Sequence, residues 1–97
     1  MTRPIFHPLA ERELLETIDW YEGKVRGLSG EFLDRVIQGL DHIRAFPESC
    51  PVLLGRARRK ALRQFPYSLI YSIDASGMFV LAVAHQKRRA DYWKDRL

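Results

Sequence analysis

Ninety-seven residues, 46% hydrophobic and 29% charged, suffice for one domain with a modest core and exclude a second. No Ser-, Gly- or Pro-rich tract marks a disordered arm. The longest apolar run, Met78 to Ala84, falls far short of the ~20 residues that span a bilayer, and Met1 to Pro8 lacks the apolar stretch of a leader, so a folded cytoplasmic protein is expected.

The net charge of +4 is unevenly spread. Residues 1–48 hold six Lys/Arg and nine Asp/Glu, whereas residues 49–97 hold ten and three. A basic second half suggests a polyanion or an acidic protein segment as partner for one face, set against the plainer alternative of a solvated basic surface. The single cysteine, Cys50, permits no internal disulfide and reads as a loop thiol.

Arg3 to Phe6 is expected as a short strand, with Pro4 placing it at a strand start or a sheet edge. Pro8 suits the first turn of a helix over residues 9–25, with Glu11 and Glu13 near its N-terminal dipole and Leu14, Ile18, Tyr21 and Val25 on one face. Gly27 to Gly30 breaks the pattern, and Ser29 is the expected N-cap of a second helix. Its stripe runs through Phe32 or Leu33, Val36, Leu40 and Ile43 to a stop at Pro47. Residues 47–55 read as loop.

Lys60–Phe65, Tyr67–Ile73 and Met78–Ala84 then form an antiparallel meander, turned at Phe65-Pro66-Tyr67 and at Asp74 to Gly77. Tyr67, Leu69, Tyr71 and Ile73 share the face suited to the helix hairpin, and Asp91 to Arg96 is expected to add a helical turn. The fold class is therefore α+β: a short strand, a two-helix hairpin and a three- to four-stranded antiparallel sheet in the order β-α-α-β-β-β. The chain is read as a single domain over residues 1–97.

Two cationic clusters flank the meander, Arg56, Arg58, Arg59, Lys60 and Arg63 at its entry and Lys87, Arg88 and Arg89 at its exit. They are expected to meet at one end of the sheet as a single surface. For phosphates such a surface offers salt-dependent, largely sequence-independent affinity. His85 ends the last strand beside these arginines, either as an acid or base near neutral pH or as a structural hydrogen-bonding group.

Tyr92 and Trp93 offer bases a stacking platform, but Trp93 is more readily read as a lid on the core; Trp20 is expected to be exposed or a partner contact. Gly-rich phosphate loops, nucleophile elbows and Cys/His metal constellations are missing, so no cofactor or metal is expected.

The string Leu62-x-x-Phe65-Pro66-Tyr67-x-Leu69-Ile70-Tyr71, followed by Val80-Leu81-Ala82-Val83-x-His85-x-x-Arg88 and Tyr92-Trp93-x-x-Arg96, resembles the RelE/ParE superfamily of bacterial type II toxin–antitoxin toxins. Phe6-x-x-x-Ala10-x-x-Glu13-Leu14 and Gly27-Leu28-x-x-x-Phe32-Leu33 extend that resemblance over nearly the whole chain. It implies a plasmid-stabilising growth inhibitor, neutralised by a cognate antitoxin encoded in a neighbouring gene, whose partly disordered and often acidic segment folds around the toxin in a hetero-oligomer.

The resemblance also implies two rival activities, inhibition of DNA gyrase in the ParE-like branch and ribosome-dependent mRNA cleavage in the RelE-like branch. A degenerate toxin that only binds its antitoxin is a third reading. For a nuclease, the resemblance implies Arg63 holding the scissile phosphate, Arg88 stabilising the transition state, Tyr92 orienting the 2′-hydroxyl or stacking on a base, and His85 as acid or base. Arg58, Arg59, Lys60, Lys87 and Arg89 are assigned to target binding, and Trp20, Arg63 and Tyr67 to the antitoxin. Many nuclease relatives carry an arginine after the Pro-Tyr pair; this chain has Ser68, which favours the ParE-like branch.

Overall fold

A computed structural model describes residues 3–97; Met1 and Thr2, the start of the segment read as lacking a leader, lie outside the described residues. Strand β1 (Ile5–Phe6) leads into helix α1 (Pro8–Lys24), where Pro8 takes the first helical position and His7 is the N-cap. The His7 Nδ1 accepts from the Leu9 amide at 3.1 Å, satisfying one of the free donors at the helix start.

Helix α2 (Leu28–Ala45) begins after Gly27, whose φ of 88° is left-handed backbone that favours glycine. Ser29 is not the cap. It lies inside the helix, and the carboxylate of Glu22 takes the capping role by accepting from Gly27 N (3.1 Å), Ser29 N (3.4 Å) and Ser29 Oγ (2.6 Å). A side chain from the preceding helix thus neutralises the positive end of α2.

Five strands complete the fold: β1, then β2 (Val52–Leu54), β3 (Ala57–Ala61), β4 (Tyr67–Asp74) and β5 (Gly77–His85), in the spatial order β1-β5-β4-β3-β2. The sheet is mixed, because β1 lies parallel to β5 while the other pairs are antiparallel. Several boundaries differ from the sequence reading: β1 is shorter than Arg3–Phe6, and the C-terminal helical turn is confined to Lys94–Arg96. The segment expected as loop contains β2, and the strand expected at Lys60–Phe65 lies at Ala57–Ala61. Leu62 and Phe65 are apolar because they are buried from the turn after β3, not because they alternate along a strand.

The register also overturns the expected meeting of the two cationic clusters, except at Arg59. Arg58 pairs with Tyr71 and thereby lies level with Val80, whereas Ala61 pairs with Ser68, level with Ala84. In an up-down-up meander the entry of the first strand and the exit of the third lie at opposite ends. Arg56 accordingly sits at the far end, 4.0 Å from Asp74.

On one face of the sheet the helix hairpin packs Phe32, Val36 and Ile43 against Leu69, Tyr71, Val80 and Val83. On the other, Trp93 (1% exposed) covers Ala57, Ile70, Leu81, Ala82 and Ala84, so Trp93 is a core lid as expected. Cys50, read as a loop thiol, is buried in the helix-side core.

Strand β5 serves both faces through a bulge. Ile70 pairs with Ala82 and Tyr71 with Val80, leaving Leu81 as an extra residue. The alternation therefore slips, with Met78, Val80 and Val83 facing the helices and Leu81, Ala82 and Ala84 facing Trp93.

Two predictions follow from this packing. A Cβ on Gly39 of α2 would come within 3.1 Å of Leu62 Cδ2 and Leu69 Cδ1. Gly39→Ala should be close to neutral in chemical denaturation, because a helix-propensity gain of about 1 kcal/mol offsets the squeeze, whereas Gly39→Val should cost roughly 1–3 kcal/mol. The Glu22 carboxyl is held below the usual carboxylate range by its hydrogen bonds, first from the Ser29 hydroxyl and then from the Gly27 amide. A depressed folded-state pKa gives stability that is present above the unfolded value near ~4.3 and is lost as pH falls through the folded one. Thermal melts between about pH 5 and pH 3 should therefore show a shallower acid loss in Glu22→Gln than in the native chain.

Candidate functional site

The exit of β5 gathers most of the polar side chains singled out in the sequence. His85, the last residue of the strand, pairs with Tyr67 and packs edge-on against its ring at 4.9 Å. The His85 Nδ1 accepts from the Lys87 amide at 3.0 Å, so the neutral ring carries its proton on Nε2. The Arg88 amide in turn donates to the His85 carbonyl, and the Arg88 guanidinium lies 3.8 Å from the centre of the Tyr92 ring.

Two grooves meet at His85 and Arg88. A small one of about 110 Å³ on the Trp93 face is lined by Arg59, Ser68, Arg89 and Tyr92 together with those two residues. A larger one of about 290 Å³ lies toward α1, where Glu13, Glu16, Trp20 and Tyr67 join them. Trp20 is 57% exposed, with the Lys24 ammonium 4.2 Å from its ring centre.

Tyr92 is turned inward. Its hydroxyl is buried without a hydrogen-bond partner, and its pKa is pushed well up, first by burial and then by the negative charge of Glu13. Trp93 beside it is wholly committed to the core.

The elements are held by a pair whose roles the sequence reading missed. Arg96 meets the Glu13 carboxylate through two 3.0 Å contacts, with side-chain exposures of only 11% and 15%, and it also donates to the Leu81 carbonyl at 3.0 Å. Glu13 additionally accepts from the Val83 amide at 3.0 Å. These backbone groups flank the bulge, where β5 has run past the end of β1 and has no strand beside it. The sequence signal was the placement of a carboxylate on the inward stripe of α1, between Ala10 and Thr17, both buried. Such a charge requires a partner.

The remaining predicted residues lie elsewhere. Arg63 and Lys60 line a groove against α2 with Arg35 and His42. Arg58 donates to the carbonyls of Glu48 (3.1 Å) and Cys50 (2.7 Å), tying down the segment before β2. Lys87 is exposed just past the strand end. The structure therefore brings together Trp20, Arg59, Tyr67, His85, Arg88, Arg89 and Tyr92, and separates Arg58, Lys60 and Arg63 from them.

A family model described as ParE toxin of type II toxin–antitoxin system, parDE, matches residues 5–90. The chain belongs to the ParE toxin family. No curated protein gives a significant match. A solved structure titled "Chromosomal ParDE TA system from P. aeruginosa" shares the fold of this ParE-family chain, with a TM-score of 0.73 at 12% identity, covering 88% of this chain and 96% of that one. The N-terminal strand, helix hairpin and sheet expected from the sequence are those of the family, with five strands in a mixed sheet. Among the described residues, no helix is long and apolar enough to cross a membrane.

Arg96→Met should leave the Glu13 carboxylate largely buried and unpaired, at a cost of roughly 3 kcal/mol in denaturant unfolding. The double variant Glu13→Leu/Arg96→Met should be more stable than Arg96→Met alone. A fully additive cycle would show that the pair is not coupled.

Proposed function

We propose that this chain is a growth-arresting toxin that acts by binding DNA gyrase, in a plasmid-stabilising module where a cognate antitoxin encoded in a neighbouring gene neutralises it. Family membership supports a toxin, and the inward rotation of Tyr92 supports binding over RNA cleavage. A nuclease of the RelE-like kind needs its phosphate-holding, acid–base and hydroxyl-orienting groups around one phosphate. Here Tyr92 presents no free hydroxyl, Arg63 lines a different groove, and Ser68 stands where an arginine is expected.

What remains at the strand exit is a binding surface: Arg59, Arg88 and Arg89 around a shallow depression, continued past His85 into the aromatic groove of Trp20 and Tyr67. Arginines beside aromatic rings are typical anchors of protein interfaces. The cytoplasm, where gyrase and antitoxin are found, is the compartment this reading requires.

Purified chain at micromolar concentration should block supercoiling by gyrase or trap its cleaved complex, and Arg88→Glu should weaken the effect at least about tenfold. Primer extension on translated message, run in parallel, tests the rival. Codon-phased cuts abolished by Arg88→Ala would replace gyrase with mRNA as the target. Expression without growth arrest would leave a module that only binds its antitoxin.

A further inference from the structure

The C-terminal tail covers only part of the second face of the sheet. Trp93 sits over Ala57, Ile70, Leu81, Ala82 and Ala84, and the row of Phe79, nearer the β4–β5 turn, lies outside that cover. Ile5 of β1 and Ser72 of β4 both pair with Phe79, so these three side chains stand in one row. Val80 faces the helices, and the row therefore faces away from them.

Between this row, Leu81 and Leu97 lies a groove of about 370 Å³. It is larger than either groove of the surface proposed for the target and shares no lining residue with them. Small-molecule sites have volumes of roughly 300–1,000 Å³ and mostly apolar walls with a few placed polar groups. Apolar side chains dominate here as well. Ile5 and Leu97 are 53% and 55% exposed, so the free chain holds apolar surface in water that an occupant would cover.

The polar groups of the wall are mostly donors. His7 already uses Nδ1 to accept from the Leu9 amide, which leaves its neutral ring with Nε2–H to donate. Ser72 adds a hydroxyl, and Arg56 a guanidinium whose side chain is 73% exposed. Arg96 is committed to Glu13 and the Leu81 carbonyl. The carboxylate in the wall, Asp74, is itself engaged: its Oδ1 accepts from the Ser76 amide at 2.8 Å and the Ser76 hydroxyl at 2.6 Å, and its Oδ2 is 4.0 Å from Arg56, the long limit of an ion pair. Arg56 is thus the cation left to a ligand.

We propose that this groove binds an amphipathic carboxylate of small-molecule size, with its apolar body on Ile5, Phe79 and Leu97, its carboxylate on Arg56, and Ser72 and His7 as further donors. An ammonium head would be repelled by Arg56 and would find a single carboxylate already engaged. A wholly apolar ligand would strip water from the donors and return nothing to them. The proposal does not rest on the gyrase reading.

The test titrates the isotope-labelled full chain at neutral pH with octanoate, octylammonium and acetate. Octanoate should give saturable shifts centred on the amides of Ile5, Phe79, Leu81 and Leu97, and it should raise the melting temperature by mass action. Octylammonium should bind at least about tenfold more weakly, and acetate should leave those amides unmoved. Arg56→Gln, a surface change, should weaken octanoate about tenfold without weakening octylammonium. Ser72→Leu should fill the groove and abolish the octanoate shifts, with an otherwise native spectrum.

Equal affinity for octanoate and octylammonium, or shifts at Val52 to Leu54 as large as those in the groove, would reduce it to general apolar surface and overturn the proposal. So would an Arg56→Gln chain that binds octanoate as tightly as the native one. A dimer in sedimentation whose Ile5 and Leu97 are protected without ligand would assign the face to a second copy, and overturns it too. Gyrase inhibition is measured separately, and neither result decides the other.

Discussion

The end of the sheet that carries the candidate site depends on one ion pair between residues far apart in sequence. Glu13 and Arg96 join the first helix to the C-terminal turn, and both also bond backbone groups beside the bulge in β5. A strand that outruns its neighbour and bulges leaves an amide and a carbonyl in need of partners. Charged partners make stronger hydrogen bonds than neutral ones. The low exposure of the pair adds to the penalty for removing either member, since the survivor would keep its desolvation cost without its attraction.

Position follows from that pairing. With Arg96 anchored, the tail crosses the sheet and seats Trp93 on the small residues Ala57, Ala82 and Ala84. Trp93 requires such a shallow floor, and the bulge supplies it by putting Leu81 and Ala82 on the same face. Tyr92 is then fixed between the tail and β5 with Arg88 against its ring. His85, locked by Tyr67 and the Lys87 amide, projects where the two grooves join. The bulge, the tail and the site are thus parts of one solution to the free edge of β5.

Much of this was legible in the chain. The helix hairpin was, because Phe32, Val36, Leu40 and Ile43 recur at helical spacing before a proline. So was the helix-facing side of β4, because Tyr67, Leu69 and Tyr71 alternate.

The strand Ala57–Ala61 was not, since an Arg-Arg-Lys run looks like a loop and becomes a strand only through pairing with β4. The parting of Arg56 and Arg58 from the second cluster follows from strand direction, which in a meander is fixed, whereas Lys60 and Arg63 reach the exit end but line the groove against α2. The bulge left no mark in an unbroken apolar run. Glu13 appeared only as a helix-dipole residue, because its partner stands at the other end of the chain.

The charge distribution gains its meaning from this geometry. Cations of the second half occupy both faces of the sheet: Arg59, Arg88 and Arg89 at one groove, and Lys60 and Arg63 with Arg35 of α2 at another. Few acidic groups oppose them, so mutual repulsion works against the folded state of the free chain. An anionic partner that binds only the folded form relieves that repulsion and adds its own mass-action stabilisation. With Arg35 positioned by neutral amides and Arg88 by an aromatic ring, those two charges are retained for such partners, and two separated grooves allow one to be engaged without filling the other.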